Sequence, residues 1–286
     1  MSNQINMPFI RTYPVQKHIL MNSGGIGSWY TGKHLVAQYG AANVTQLFTD
    51  TRFEDWDTYR FLEEGAHNIG SDLISIADGR TPWDVYYDER FLGNSRIDPC
   101  SKILKRKVAD KWLADNCDPK ETTIYVGIDW SEAHRMYGRG GKPGLKARKA
   151  ADGWNYEAPL CHGCNFSKAD MIQEAGREGL EVSRAYPSGF KHDNCGGNCC
   201  KAGQAHRALQ LKERPEKYHA DEKREQDYRA WIGQDVAMMS ETVSGKKRPL
   251  TLKELRERIE AKEGYNRLDW GGCACFFGGD EAEEAA

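Results

Sequence analysis

The sequence holds no apolar run near the roughly 20 residues that a membrane-spanning helix needs. Its first residues, Met1-Ser-Asn-Gln-Ile-Asn-Met-Pro8, hold no basic stretch followed by an apolar core. Neither a membrane span nor a secretory leader is expected, and the expected location is the cytoplasm. Net charge is also nearly absent: 40 Lys and Arg against 42 Asp and Glu leave −2 at pH 7. The chain is therefore neither a polycation nor a disordered polyelectrolyte. No internal repeat is visible. What is present is 286 residues with 39% hydrophobic content, enough for a substantial core in one large domain or a domain with an appended lobe. Nine cysteines in a cytoplasmic chain point to metal or redox chemistry rather than a disulfide framework.

The stretch His18-Ile-Leu-Met-Asn-Ser-Gly-Gly-Ile-Gly-Ser28, followed by a helix-like run over 29–39, reads as a strand, a tight turn and a helix. The free amides at the start of such a helix can hold an anion. Further strands are expected at 44–49, 72–77 and 122–127, with helices at 54–66 and 102–113. Alternating strands and helices imply an α/β fold, a parallel sheet covered on both faces, with ligands at the carboxyl ends of the strands. Those ends carry Ser23 to Ser28, Asp50 with Thr51, Asp78-Gly-Arg80, and Gly127-Ile-Asp-Trp-Ser-Glu132. Each alone could be a helix cap, since Asp, Ser and Thr are favoured there; four converging ends favour a site.

Residues 135–150 carry Arg135, Arg139, Lys142, Lys146, Arg148 and Lys149 with no acidic residue among them. They read as a mobile basic loop, either solvated or closing on phosphates, with no aromatic-rich groove signature beside it. Helices are expected over 204–231, interrupted near Pro215, and from Thr251 to about 263, with a loop at 244–249. The acidic end, 280–286, is expected to be disordered.

Four segments resemble one family. Ser23-Gly-Gly-Ile-Gly-Ser28 resembles the PP-loop of the adenine nucleotide α-hydrolase superfamily, and the stretch from Asp50-Thr51 to Thr58-Tyr59 is similar to a segment of its phosphoadenylyl-sulfate (PAPS) reductase branch. Pro99-Cys100-Ser-Lys-Ile-Leu-Lys105 resembles the Cys-plus-Lys segment of adenylyl-sulfate (APS) reductases and DNA phosphorothioation enzymes. Gly127-Ile-Asp-Trp-Ser-Glu-Ala-His-Arg135 resembles that branch's strand end. The matches fall in order across residues 15–200. Two departures stand out: Gly27 occupies the place of the common loop's Asp, and the chain ends Gly-Gly-Cys273-Ala-Cys275 rather than in the thioredoxin-dependent catalytic motif. The second half resembles a group of bacterial and phage reductase-like proteins that pair a segment like 194–203 with a terminal Gly-Gly-Cys-x-Cys.

Two clips, Cys195 with Cys199 and Cys273 with Cys275, beside paired glycines, can supply four thiolates to one metal centre. The spacings differ from the zinc-ribbon gap, and the resemblance also implies a [4Fe-4S] cluster, with Zn as the alternative. Cys100 could replace one ligand or act as a nucleophile, with Lys102 and Lys105 lowering its pKa. Cys161 with Cys164 is a weaker clip, and Cys200 is a further candidate.

By resemblance, the domains are a PP-loop α/β unit at 1–190, a cysteine-rich metal-binding helical region at 191–279 and a tail at 280–286. The expected nucleotide (ATP or PAPS) would lie against Ser23, Gly24, Gly25, Ile26, Gly27, Ser28, Asp50, Thr51, Gly127, Ile128, Asp129 and Ser131. Mg²⁺ would accompany ATP near Asp129 or Asp50. Cys100, Lys105 and Arg135, with Arg80 in support, would carry the chemistry. The expected reaction adenylates an acceptor and replaces its oxygen with sulfur. The alternatives are a true APS/PAPS reductase, or a non-catalytic cluster protein on nucleic acid. Expected partners are a sulfur- or electron-donor protein, DNA or tRNA, and a second copy in a homodimer.

Overall fold

A computed structural model of the chain describes residues 16–95, 97–162, 166–192 and 194–272. β1 (Lys17–Met21) leads into α1 (Ile26–Tyr39), β2 (Val44–Asp50) into α2 (Trp56–Ile69), and β3 (Asp72–Ala77) into α3 (Pro82–Asp88). A π-helical turn, Ser101–Lys107, continues as α4 (Val108–Asn116) and returns the chain to β4 (Thr122–Val126). Then come α5 (Ala133–Tyr137), a short hairpin of β5 (Gly138–Arg139) and β6 (Lys142–Pro143), α6 (Leu145–Ala151), β7 (Asn155–Glu157) and α7 (Lys168–Arg177).

The five strands β1 to β4 and β7 pair in parallel in the order β3-β2-β1-β4-β7. Sequence order thus runs outward from β1 to β3 and restarts at β4 on β1's other side. Loops leaving β1 and β4 diverge, and the crevice between them is where such sheets hold ligands. The strands' alternation matches two covered faces. Ile19, Met21, Ile124 and Val126 pack with Ala109 and Leu113 of α4 on one face, while Leu20 and Tyr125 pack with Leu35 of α1 on the other. Outside α1, Trp29 and Ile26 meet Phe61 and Ile69 of α2 and Met171 and Ala175 of α7. The expected α/β sheet flanked by helices is present.

The remaining chain is mostly helical: α8 (Gln204–Glu213), α9 (Pro215–Ile232), the hairpin β8 (Met239–Val243) and β9 (Lys246–Leu250), and α10 (Leu252–Glu260). Tyr218, Met239, Leu250, Leu252 and Leu255 form its core. One apolar cluster joins the two parts, with Trp83, Tyr86, Cys100 and Leu104 against Cys200, Tyr228 and Met238.

Two local expectations are corrected. Residues 135–150 are not one mobile loop: α5, the hairpin and α6 order them, and Lys146 and Lys149 pair with Glu157 and Asp110 at 2.6 Å each. The expected loop at 244–249 is instead a tight hairpin turn, Ser244 (φ 50°) and Gly245 (φ 77°), followed by β9. Two successive residues in the left-handed region match the twist of a two-residue hairpin. The acidic end falls outside the described residues. Among the described residues, no helix is long and apolar enough to cross a membrane.

Candidate nucleotide site and thiol chamber

A cavity of about 540 Å³ opens at the β1/β4 crevice. Its wall holds Ser23, Gly24, Gly25, Gly27 and Ser28 from the first turn, and Gly127, Ile128, Asp129 and Ser131 after β4. Local sequence dictates the turn. Gly24 adopts φ 72°, where a side chain is strained, and its amide donates to Asn22 Oδ1 at 2.9 Å. Ser28 Oγ accepts from the Ser23 amide at 3.2 Å and lies 3.0 Å from Ser23 Oγ, so the two serines close the loop. α1 begins on Gly25, which supplies no side-chain cap, and its first turn holds no acidic residue. A helix start left without a side-chain cap is suited to completion by an anionic ligand.

Gly27 is explained by contact. A Cβ there would lie 2.7 Å from the carbonyl oxygen of Gly127, and one on Gly127 would lie 2.6 Å from the Ser28 nitrogen. The two strand ends touch backbone to backbone, so the place of the common loop's Asp has no room for any side chain. Ile26 is also not a wall residue. Its side chain is in the core, and its amide donates to Tyr186 Oη at 3.0 Å.

The wall is electropositive, with Lys105, Arg135, Lys168 and Lys191 facing Asp129 and Glu132. Arg135 pairs with Glu132 at 2.8 Å. Asp129 Oδ1 accepts from the amide and hydroxyl of Ser131, fixing the turn after β4. Asp50 and Thr51 are placed differently from these residues. Asp50 accepts from Tyr59 Oη at 2.6 Å and the Arg52 amide at 2.7 Å, and neither it nor Thr51 lines this cavity. Burial, then the hydrogen bond to Asp50, raises the Tyr59 phenol well above its ordinary range. Arg80 is clamped by Asp78 and Asp88 at 2.6 and 2.8 Å, away from the cavity.

Thr51 instead lines a second, small chamber with Cys100, Cys195, Cys199 and Cys200. All four cysteines are buried. The Cys100 and Cys200 sulfurs lie 4.0 Å apart, and Tyr86 Oη lies 3.3 Å from Cys100 Sγ. Cys195 hydrogen-bonds to Cys199, and that bond, then burial, pushes its thiol up. Cys200 is raised by its bonds to Cys100 and Cys199, then by burial. Cys195 sits at φ 53° and is followed by Gly196 and Gly197 at 60° and 85°. A non-glycine residue held there persists only where its surroundings overdetermine it. Here they do: Glu54 Oε2 accepts from the Gly196 amide at 3.3 Å, Arg214 donates to the Gly196 carbonyl at 3.0 Å, and Arg207 donates to the Cys199 carbonyl at 3.0 Å.

Cys100 and Cys200, which sequence spacing left as alternates, are thus brought to Cys195 and Cys199. Cys273, Cys275 and Cys164 lie outside the described residues. Cys161 is elsewhere: its thiol donates toward the Ile128 carbonyl at 3.5 Å, and burial pushes it up to about 11. Among the described residues, no group of three or more His, Cys, Asp or Glu side chains is set as a preformed ion site.

Lys105 stands between the two spaces. It is 3% exposed, lines both, and its Nζ lies 3.3 Å from Glu54 Oε1, whose other oxygen holds the thiol loop.

No known family model matches the chain, and no curated protein matches it. Among solved structures it is similar to phosphoadenylyl-sulfate (PAPS) reductase from Candida auris in its phosphate complex, with 14% identity and a TM-score of 0.43 over 63% of this chain and 80% of that one. The chemistry rests on the chain's own residues.

Proposed function

We propose that this is a PAPS reductase-like PP-loop enzyme of the cytoplasm that binds an adenine nucleotide in the β1/β4 cavity and uses it to place sulfur on an acceptor. One observation carries the reading: an electropositive cavity at a glycine-rich helix start shares the wall residue Lys105 with a chamber of four thiols. In this reading the first turn and the start of α1 hold the nucleotide's phosphates, and Lys105 and Arg135 offset charge that develops as an acceptor oxygen attacks the α-phosphate. Pyrophosphate leaves, and sulfide from a donor then displaces AMP, so the acceptor exchanges oxygen for sulfur. Of the two carboxylates considered for Mg²⁺, Asp129 is the one in the cavity wall.

The donor set Cys100, Cys195, Cys199 and Cys200 suits a thiophilic metal. Bound there, such a centre would supply a sulfur-handling or redox function if a cluster, and a structural one if zinc. The family resemblance favours a [4Fe-4S] cluster. The 4.0 Å separation of Cys100 and Cys200 favours a single zinc, because thiolates at about 2.3 Å from one tetrahedral ion lie about 3.8 Å apart. Metal analysis of protein purified without oxygen decides between them. Either four irons or one zinc is expected, and Cys100→Ser and Cys200→Ser should each lose most of it. Full metal content in both variants would rule out this ligand set.

Calorimetry with ATP, APS and PAPS tests the cavity. Ser28→Ala should weaken nucleotide binding at least tenfold, since Ser28 Oγ closes the loop on Ser23. Product assays then separate the chemistries: AMP plus pyrophosphate supports transfer, and sulfite without pyrophosphate would make the chain a reductase. Unaltered binding by the Ser28 variant would remove the phosphate assignment.

A further inference from the structure

An exposed aromatic ring stands in the cavity wall: Trp130 is 47% exposed. Phe166, next to the wall residues Ser167 and Lys168, is 39% exposed, and Tyr137 at the end of α5 is 43% exposed. Large exposed aromatic side chains grouped at a mouth mark a contact surface. These rings are also held in place. The Trp130 indole N–H donates to the Phe166 carbonyl at 3.1 Å, the Phe166 ring stacks on Tyr30 with centroids 5.3 Å apart, and Tyr137 bonds to His162 Nε2 with its ring 5.4 Å from the imidazole. Rigid rings with exposed area offer a platform at small entropic cost.

Cations accompany them. Lys168 and Lys191 stand in the cavity wall, Lys168 donating to the Lys191 carbonyl at 2.7 Å, and exposed Arg139 lies in the hairpin two residues beyond Tyr137. The basic stretch carries Tyr137 within it and Trp130 five residues before it, and the fold adds Phe166, whose carbonyl accepts from the Trp130 indole. Stacking rings interleaved with cations that track phosphates are how proteins hold single-stranded nucleic acid.

We propose that the acceptor is a base of single-stranded nucleic acid, stacked on Trp130 and Phe166, with flanking phosphates on Lys168, Lys191 and Arg139. This names the acceptor class within the function proposed above and rests on that reading for the chemistry, but not for the binding. A duplex keeps its bases stacked internally and cannot use the platform, whereas an unpaired base can.

Fluorescence anisotropy with labelled strands of about 12 nucleotides, a length within the site sizes of such grooves, tests it without ATP. Single-stranded DNA and RNA form two arms and a duplex the third. Micromolar or tighter binding of one single strand is expected, at least tenfold tighter than the duplex. About three phosphate contacts give a log–log salt slope near −2. Phe166→Ala, outside the cavity wall, should weaken strand binding about tenfold and leave ATP affinity unchanged; Arg139→Ala should make the salt slope shallower by about 0.7. Trp231→Ala serves as a control, because Trp231 is 46% exposed but lies on α9 in the helical part. No strand binding by the wild-type protein, equal binding of duplex, or equal losses in the Trp231 and Phe166 variants would overturn the proposal. Strand binding with no ATP binding would keep this surface and sink the nucleotide reading instead.

Discussion

Replacing Gly27 with alanine should destabilise the protein and abolish nucleotide binding together. The added Cβ would meet the Gly127 carbonyl oxygen at 2.7 Å, well inside contact distance, and both sides of the clash are backbone. Neither can turn away as a side chain would, so β4's end must retreat from the first turn. Overpacking of this kind typically costs about 1–3 kcal/mol, and the retreat separates the two walls of the cavity. The informative variant is Gly27→Asp, which installs the residue of the common PP-loop. If the common loop's carboxylate were merely missing here, the variant would bind nucleotide more tightly. The contact with Gly127 instead dictates a variant that is less stable than Gly27→Ala and does not bind. Thermal melts and calorimetry on both variants check this, and a Gly27→Asp protein with native stability and affinity would remove the close approach as the reason for the glycine.

The second large effect is expected at Asp55, a fully buried carboxylate between the two parts of the molecule. Arg184 grips it with Nε at 3.0 Å and Nη2 at 2.7 Å, Lys217 at the start of α9 bonds to Oδ2, and Arg214 lies at 3.7 Å. Asp55 also caps α2, accepting from the Asp57 amide at 3.0 Å. Removing one partner of a buried ion pair costs about 3–5 kcal/mol; Arg184 and Lys217 keep 43% and 32% of their side chains in water, which places the cost at the low end. Asp55→Ala should fall in that range in denaturant melts. Asp55→Asn, which can keep the cap, should cost less by about 1 kcal/mol, the usual worth of a cap. Burial by itself would raise this carboxyl, but the bonds from Arg184 and Lys217 outweigh it and hold it well below the usual carboxylate range. The sign follows: a depressed folded pKa stabilises the protein above the unfolded value of about 3.9 and loses that stabilisation as pH falls below it. The wild-type protein should therefore lose stability faster than Asp55→Asn as pH drops through 4. Parallel acid melts of the two would show that the carboxylate is not ionised in the fold.

The sheet was legible because a parallel sheet buries both faces and its strands are written as short apolar runs, as at Val44-Thr-Gln-Leu-Phe and Thr122-Thr-Ile-Tyr-Val. The turn residues at the β1 and β4 ends were legible for a related reason, since site residues cluster there in such sheets. α3 escaped because seven residues give little periodicity, yet Thr81 and Asp84 form a capping box with Pro82 in the first turn, a signal available in Thr81-Pro-Trp-Asp84. β8 and β9 escaped because their residues are largely polar or charged and include Pro249. The roles of Asp50 and Thr51 depend on where the chain turns after β2, and the left-handed Arg52 that sets that turn has no spacing signature. Nor does local spacing encode the meeting of Cys100 with Cys200, or of Trp130 with Phe166, which lie 100 and 36 residues apart.

The thiol chamber also bears on the order of folding. Cys100 and Cys200 are 100 residues apart in sequence. Bringing them together closes a loop about as long as the one that pairs Lys17 with Thr122 in the sheet. During synthesis Cys100 emerges long before its partners, exposed to oxidants and stray metal ions. Its shelter arrives only when α8 and α9 dock, so conditions that delay docking should damage this thiol first.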